Sequence, residues 1–135
     1  MNVRVFFDTD PRFNCTRVEW PAKSNVFSDL PPTAVNVQVV DHTLIPTDRT
    51  FRNALKPDLM HDMTKCREIW RERLRILRLP KIAALDAAYL RADETGDVAE
   101  KQRIAAQKQA LRDVTADPRI DTAQTPDELK FITVP

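Results

Sequence analysis

The sequence predicts an α+β protein in which a small N-terminal antiparallel β-meander precedes a helical hairpin and a short C-terminal helix. Apolar residues recur at every second position within residues 1–45, and at three- and four-residue steps from residue 62 onward. The only glycine in the chain, Gly96, lies between two helix-like stretches, where a residue with positive φ commonly ends a helix. We therefore expect a β lobe over residues 1–45, a connector over 46–61 and a helical lobe over 62–135.

Three short strands are predicted in the β lobe. Their alternating apolar positions are Val3, Val5 and Phe7 in the first, Val18 and Trp20 in the second, and Val35, Val37 and Val39 in the third. Proline and asparagine separate the three segments, so an antiparallel meander is the simplest arrangement. A sheet this small has one useful apolar face and needs cover from the helices or from another protein.

A long amphipathic helix is predicted from Asp62, a suitable N-cap residue, to about Thr95, with Gly96 as the residue that ends it. Pro80 lies inside this stretch. A proline in a helix interior costs about 3 kcal/mol because it removes a backbone donor and clashes with the preceding turn. We expect the helix to kink or break there. In the connector, one helical turn is expected within residues 49–55.

Two further helices complete the predicted helical lobe. Asp97 caps a second helix that runs to about Val114, so that a two-residue turn makes an antiparallel hairpin. Its inward residues are expected to be Val98, Ile104, Ala105, Leu111 and Val114. The segment from Thr125 to Glu128 combines an N-cap threonine, a proline and a glutamate in the pattern of a capping box, which predicts a terminal helix starting at Pro126.

Composition limits the classes of function. A single glycine cannot supply a phosphate-cradling loop, a dinucleotide fingerprint or a nucleophile elbow, which excludes most nucleotide-dependent enzymes. With 42% hydrophobic and 30% charged residues and a formal charge of +1, a soluble chain with no overall attraction to nucleic acid or to a membrane is expected. No signal peptide or membrane span is recognisable. Synthesis in a cytoplasm and two reduced cysteines, Cys15 and Cys66, follow as expectations.

The most prominent polar feature is a row of arginines on the predicted long helix, which we call the arginine stripe. Helical spacing places its members on one face over about 16 Å, at Arg67, Arg71, Arg75 and Arg78. Such a stripe can follow a phosphate backbone or meet an acidic surface of a partner protein. In the plainest interpretation it is a solvated face paired with acids such as Asp86, Asp93 or Glu94.

No arrangement of residues predicts a metal, cofactor or catalytic site. Cys15, His42, His61 and Cys66 could be imagined as metal ligands, but their separations match no zinc spacing. Pairings of reactive types, namely Cys66 with His61, Asp8 with Asp10, and Asp93 with Glu94, show no sign of a shared pocket. We expect buried cysteines, surface histidines and acids that act as turns or caps.

Several short motifs resemble a group of small tailed-bacteriophage proteins that are encoded among tail and tail-fibre genes. The likeness spans most of the chain in scattered pieces: residues 4–8, 48–54, 62–69, 85–86, 108–113 and 125–129. The most distinctive are Arg52-Asn53-Ala54 and Leu111-Arg112-Asp113. The chain departs from the group at Leu55, where tryptophan is common, and at Pro80, inside an otherwise continuous helix.

The resemblance implies a virion structural or assembly role rather than an enzymatic activity. We expect the protein to be made in the host cytoplasm and to belong to the tail of the virion. We expect a minor tail or tail-fibre attachment component that binds other phage proteins, with homo-oligomerisation open. Aromatic residues and arginine are enriched at interface hot spots, which gives as candidate interface residues Phe6, Trp20, Phe51, Trp70, Arg67, Arg71, Arg75 and Arg78. The alternatives are a tail-fibre assembly chaperone that leaves the finished particle, and local nucleic-acid binding through the arginine stripe.

Overall fold

The computed structural model describes residues 1–22 and 27–135. It confirms the α+β class: a three-stranded antiparallel sheet is followed by long helices and a short C-terminal helix. The chain divides into two compact units, which we call the N-terminal unit (Met1–Cys66) and the C-terminal unit (Arg67–Pro135). The predicted connector therefore belongs with the strands.

The sheet consists of β1 (Asn2–Asp8), β2 (Cys15–Glu19) and β3 (Ala34–Asp41) in the order β2-β1-β3. This order differs from a simple meander, since β3 pairs with β1 and not with β2. The burial of β1 explains the difference. Val3, Val5 and Phe6 are all buried, and because neighbouring positions point to opposite faces, β1 needs cover on both sides and suits the centre of the sheet.

A β-bulge changes the third strand. Val5 pairs with Gln38, but Phe7 pairs with Val35, so two residues of β3 stand opposite Phe6. One of them, Asn36, has a φ of 54°, in the left-handed region. As a result Val35 lies on the face of the sheet opposite to Val37 and Val39. The expectation of a single apolar row was wrong, and all three valines are exposed.

The connector supplies core residues to the N-terminal unit. A 3-10 turn at Arg52–Ala54 lies within the predicted window of residues 49–55, and a second one follows β3 at His42–Leu44. Phe51, Ala54 and Leu55 are buried. The small sheet is thus covered in part by its own connector.

Helix α1 spans Met63–Glu94. The Asp62 carboxylate accepts hydrogen bonds from the N–H groups of Thr64 (3.0 Å) and Lys65 (3.3 Å), which confirms the predicted N-cap. The helix runs unbroken through Pro80. Pro80 removes the donor for the carbonyl of Ile76, and both residues are exposed, where water can supply the missing hydrogen bond.

Gly96 ends α1 as predicted. Its φ is +69°, its N–H donates to the carbonyl of Asp93 (3.0 Å), and the N–H of Asp97 donates to the carbonyl of Ala92 (2.9 Å). These two bonds form a Schellman motif. The Asp97 side chain then caps α2 by accepting from the N–H of Glu100.

Helix α2 spans Val98–Asp113 and is followed by a 3-10 turn, α3 (Pro118–Thr122) and α4 (Pro126–Lys130). Ile104, Leu111 and Val114 are buried as expected. Val98 and Ala105 are exposed, which corrects the prediction for those two positions. At about 3.6 residues per turn, both lie about 100–140° around the helix from the buried Ile104 and Leu111 and so fall outside the buried face.

The capping box at the start of α4 is present, with the N–H of Glu128 donating to the Thr125 hydroxyl (3.3 Å). The reciprocal bond is displaced by one residue, because the Glu128 carboxylate accepts from the N–H of Gln124 (2.8 Å). Within the residues that the structure describes, none of the helices combines the length and apolarity that a bilayer crossing needs.

Candidate functional site

The arginine stripe is used inside the C-terminal unit. Arg67 Nη2 donates to the carbonyl of Ala123 (2.9 Å), and Arg78 Nη1 donates to the carbonyl of Arg112 (2.8 Å). These acceptors belong to the C-terminal ends of α3 and α2, where the last carbonyls of a helix have no helical donor. A cation at such an end is also favoured by the helix dipole. These two arginines therefore cap helices.

Arg71 also connects α1 to residues that follow α2 in the C-terminal unit. Its Nη2 lies 2.6 Å from a carboxylate oxygen of Asp121, and its Nε donates to the carbonyl of Thr115 (3.3 Å). Arg75 alone follows the solvated interpretation, with an exposed ion pair to Glu72 at 2.9 Å. Two of the three acids expected as partners are engaged elsewhere, since Asp86 pairs with Lys108 and Asp93 with Lys101.

Three of the four aromatic interface candidates are core residues. Phe6, Phe51 and Trp70 are only 2%, 3% and 7% exposed. The Trp70 indole N–H donates to the carbonyl of Ile132 (3.0 Å), which ties α1 to the chain after α4. Trp20 is different, because 54% of it is exposed. It is the one large aromatic of that set available to a partner.

Trp20 borders a cleft of about 550 Å³ within the N-terminal unit, which we call the β2 cleft. One wall is formed by β2 and the residue after it, and the other by the segment between β3 and α1. The ring of Trp20 lies 5.8 Å from that of His42, with the two planes inclined by 55°. The lining residues are Cys15, Thr16, Val18, Trp20, His42, residues 45–49, Arg52, Asn53, Leu55 and His61.

The arginines of the β2 cleft differ from the other arginines of this unit in their ion pairing. Arg4, Arg12 and Arg17 each form an ion pair with a carboxylate, of Glu19, Asp10 and Asp8 respectively. The two remaining arginines of the unit, Arg49 and Arg52, line the cleft and are exposed. Neither makes a side-chain hydrogen bond or ion pair with any part of the chain that the structure describes.

The structure brings three of the four imagined metal ligands to this cleft: Cys15, His42 and His61. Cys66 is fully buried, and both cysteines are free thiols. Over residues 1–22 and 27–135, no three His, Cys, Asp or Glu side chains are close enough together to hold one ion. Cys15, His42 and His61 line the same cleft, but they are not close enough together to bind one metal ion.

Asp8 is the one buried charged residue among those described. The Thr33 hydroxyl (2.7 Å) and Arg17 Nη1 (2.8 Å) donate to its carboxylate, as does the N–H of Asp10 (3.0 Å). These hydrogen bonds, that from Thr33 foremost, lower the pKa of Asp8 to about 2. The carboxylate thus joins the end of β1 to β2 and to the loop before β3, which is a structural role.

Sequence reasoning did not single out Arg49 and Arg52 as site residues. No sequence signal separates these two from the other arginines, since all five arginines in residues 1–66 have an acid within nine positions. Comparison with protein-family models, curated proteins and solved structures finds no match to the chain.

Proposed function

We propose that this protein is a non-enzymatic structural component of a tailed-bacteriophage particle, a minor tail or tail-fibre attachment protein that joins partner proteins through its surfaces. The observation that carries the proposal is the exposure of several large apolar side chains on β3 of the N-terminal unit and on α1 of the C-terminal unit. Such groups on a small protein mark interaction surfaces.

The first group is on β3, an edge strand of the sheet. Val35, Val37 and Val39 are exposed there, and no described strand pairs with the outer side of β3, so its backbone groups can bind a strand of another protein. The bulge at Asn36 distributes these valines over both faces of the sheet. A strand added to this edge would place its own side chains beside these valines on both faces of the sheet.

The second group, which we call the outer row of α1, consists of Ile76, Leu79 and Leu90, all exposed. Their spacing places them on one helix face over about 21 Å. That face is opposite to the one that carries the buried Leu74. An apolar row on the outside of a helix suits a second helix packed against it.

The phage context comes from the sequence motifs that resemble small tail-associated proteins, among them residues 48–54 and 108–113. Between the alternatives, the arginine stripe no longer favours nucleic acid, because three of its four members are engaged with helix ends or with Asp121. The chaperone alternative needs the same exposed groups and differs only in whether the protein stays in the particle.

The proposal is tested by incorporation into particles of a phage that encodes this chain. A phage lacking the gene is complemented with the wild-type chain, with Leu79→Glu, or with Ala106→Glu, a control at another exposed helix position. We expect gradient-purified particles to retain the wild type and the control and to lose Leu79→Glu, while circular dichroism shows all three folded. Retention of Leu79→Glu at the wild-type level would contradict a role for the outer row of α1.

A further inference from the structure

We propose that the β2 cleft binds an acidic, extended segment of a partner protein, with Arg49 and Arg52 contacting its carboxylates and Trp20 contacting an apolar side chain. This inference rests on the proposed function, because it names the chemistry of one partner surface. It goes beyond that function in assigning a site and a ligand class to the N-terminal unit.

Charge complementarity is the first argument. In this unit, Arg4, Arg12 and Arg17 are each neutralised by a carboxylate of the same chain, and the two arginines that form no ion pair with the described residues lie together at the cleft. Unpaired guanidinium groups offer bidentate hydrogen bonds to a carboxylate. Placing both in one cleft favours a ligand with more than one acidic group.

Asp48 is the only carboxylate among the described lining residues, and it forms no ion pair with Arg49 or Arg52. An Asp48 oxygen accepts from the N–H of Thr50 (2.9 Å), which closes a local turn at the start of the segment that carries both arginines. Among the described residues, the lining holds two arginines, Arg49 and Arg52, and one carboxylate, Asp48. The cleft therefore keeps a positive excess that attracts acidic ligands.

The apolar part of the cleft supplies the second argument. Trp20 stands half exposed at its border, and Val18, Ile45 and Leu55 line it. A tryptophan held by a strand end presents a large rigid surface at little entropic cost, which is why it recurs as an interface anchor. A peptide that alternates acidic and apolar residues matches both halves of the cleft, whereas inorganic phosphate or a sugar would leave the apolar half uncovered.

The experiment measures binding of a fluorescein-labelled peptide of eight residues, alternating glutamate and leucine, to the full-length protein by fluorescence anisotropy at low ionic strength. A peptide with lysine in place of glutamate is the matched probe. We expect the glutamate peptide to bind and the lysine peptide to fail, with affinity falling as salt is added. Replacing both Arg49 and Arg52 with glutamine should weaken binding by roughly tenfold or more, since one charge-assisted hydrogen bond corresponds to about a tenfold change.

A matched control removes the same charge elsewhere. Arg91 and Arg112 are exposed arginines of the C-terminal unit without a side-chain ion pair among the described residues, and their double glutamine variant should bind like the wild type. Trp20→Ala should also weaken binding. Equal binding of the glutamate and lysine peptides, no binding of either, or an equal loss in both double variants would overturn the assignment. Any of these results would count against the cleft assignment alone, because the particle experiment tests the outer row of α1. The two proposals can therefore be refuted independently.

Discussion

Arg78 should stabilise the C-terminal unit by holding the end of α2, and its replacement by methionine tests that role. Methionine keeps most of the aliphatic length and removes the guanidinium. The wild-type side chain donates at 2.8 Å to the carbonyl of Arg112 and makes two longer contacts of 3.4 Å, to the carbonyl of Leu111 and the hydroxyl of Thr115.

The expected cost follows from these contacts. A hydrogen bond to a charged group contributes about 1.5–3 kcal/mol net, and because the Arg112 carbonyl can be rehydrated in the variant, we expect a loss of about 1.5 kcal/mol. Arg75→Met is the matched control, three residues earlier on the same helix. Its exposed pair with Glu72 should contribute about 0.5 kcal/mol or less.

The measurement is denaturation by urea at pH 7, followed by the fluorescence of Trp70 in a Trp20→Phe background. Trp70 is buried in the C-terminal unit, so its signal reports unfolding of that unit. A lower midpoint for Arg78→Met with an unchanged slope is expected. If Arg75→Met lost as much stability as Arg78→Met, the arginine stripe would be a solvated face and the capping argument would be refuted.

Three further substitutions probe the fold. Gly96→Ala should cost about 1 kcal/mol through its positive φ alone, because no atom lies within 4 Å of an added Cβ; a thermal midpoint equal to that of the wild type would contradict this. Ile104→Ala should cost about 2–5 kcal/mol in urea denaturation, since the side chain is fully buried, and a cost near zero would show that α2 does not pack as described. Asp8, with its pKa lowered to about 2 from 3.8, adds stability that is complete above about pH 4 and lost as the pH falls from about 4 to 2. Asp8→Asn should flatten the fall in stability over that range, and an unchanged pH profile would argue against the hydrogen bonds that Asp8 accepts from Thr33 and Arg17.

Features encoded by neighbouring residues were predictable. The caps at Asp62, Gly96 and Thr125 each act within a few residues, and all three are present. Helix α3 was missed although Asp117-Pro118 carries the same signal of an N-cap followed by proline as Thr125-Pro126. That signal alone would have found it.

Features that depend on distant parts of the chain were not predictable. The spacing of the arginine stripe correctly implies a common face of α1, but the acceptors of Arg67, Arg71 and Arg78 lie 33–56 residues later in the chain. The strand order and the bulge at Asn36 depend on which strands pair, which alternation within one strand cannot reveal. The β2 cleft likewise combines residues from Cys15 to His61, and only folding brings them together.

The measurement that tests the central claim most directly is the copy number of this chain in gradient-purified particles of a phage that encodes it. Quantitative mass spectrometry would count the chain against the tail-tube and fibre proteins. We predict a fixed ratio that is reproduced between preparations, as expected for a component of a symmetric assembly. Absence from particles, with the chain abundant in the infected lysate, would contradict a virion role and support the assembly chaperone.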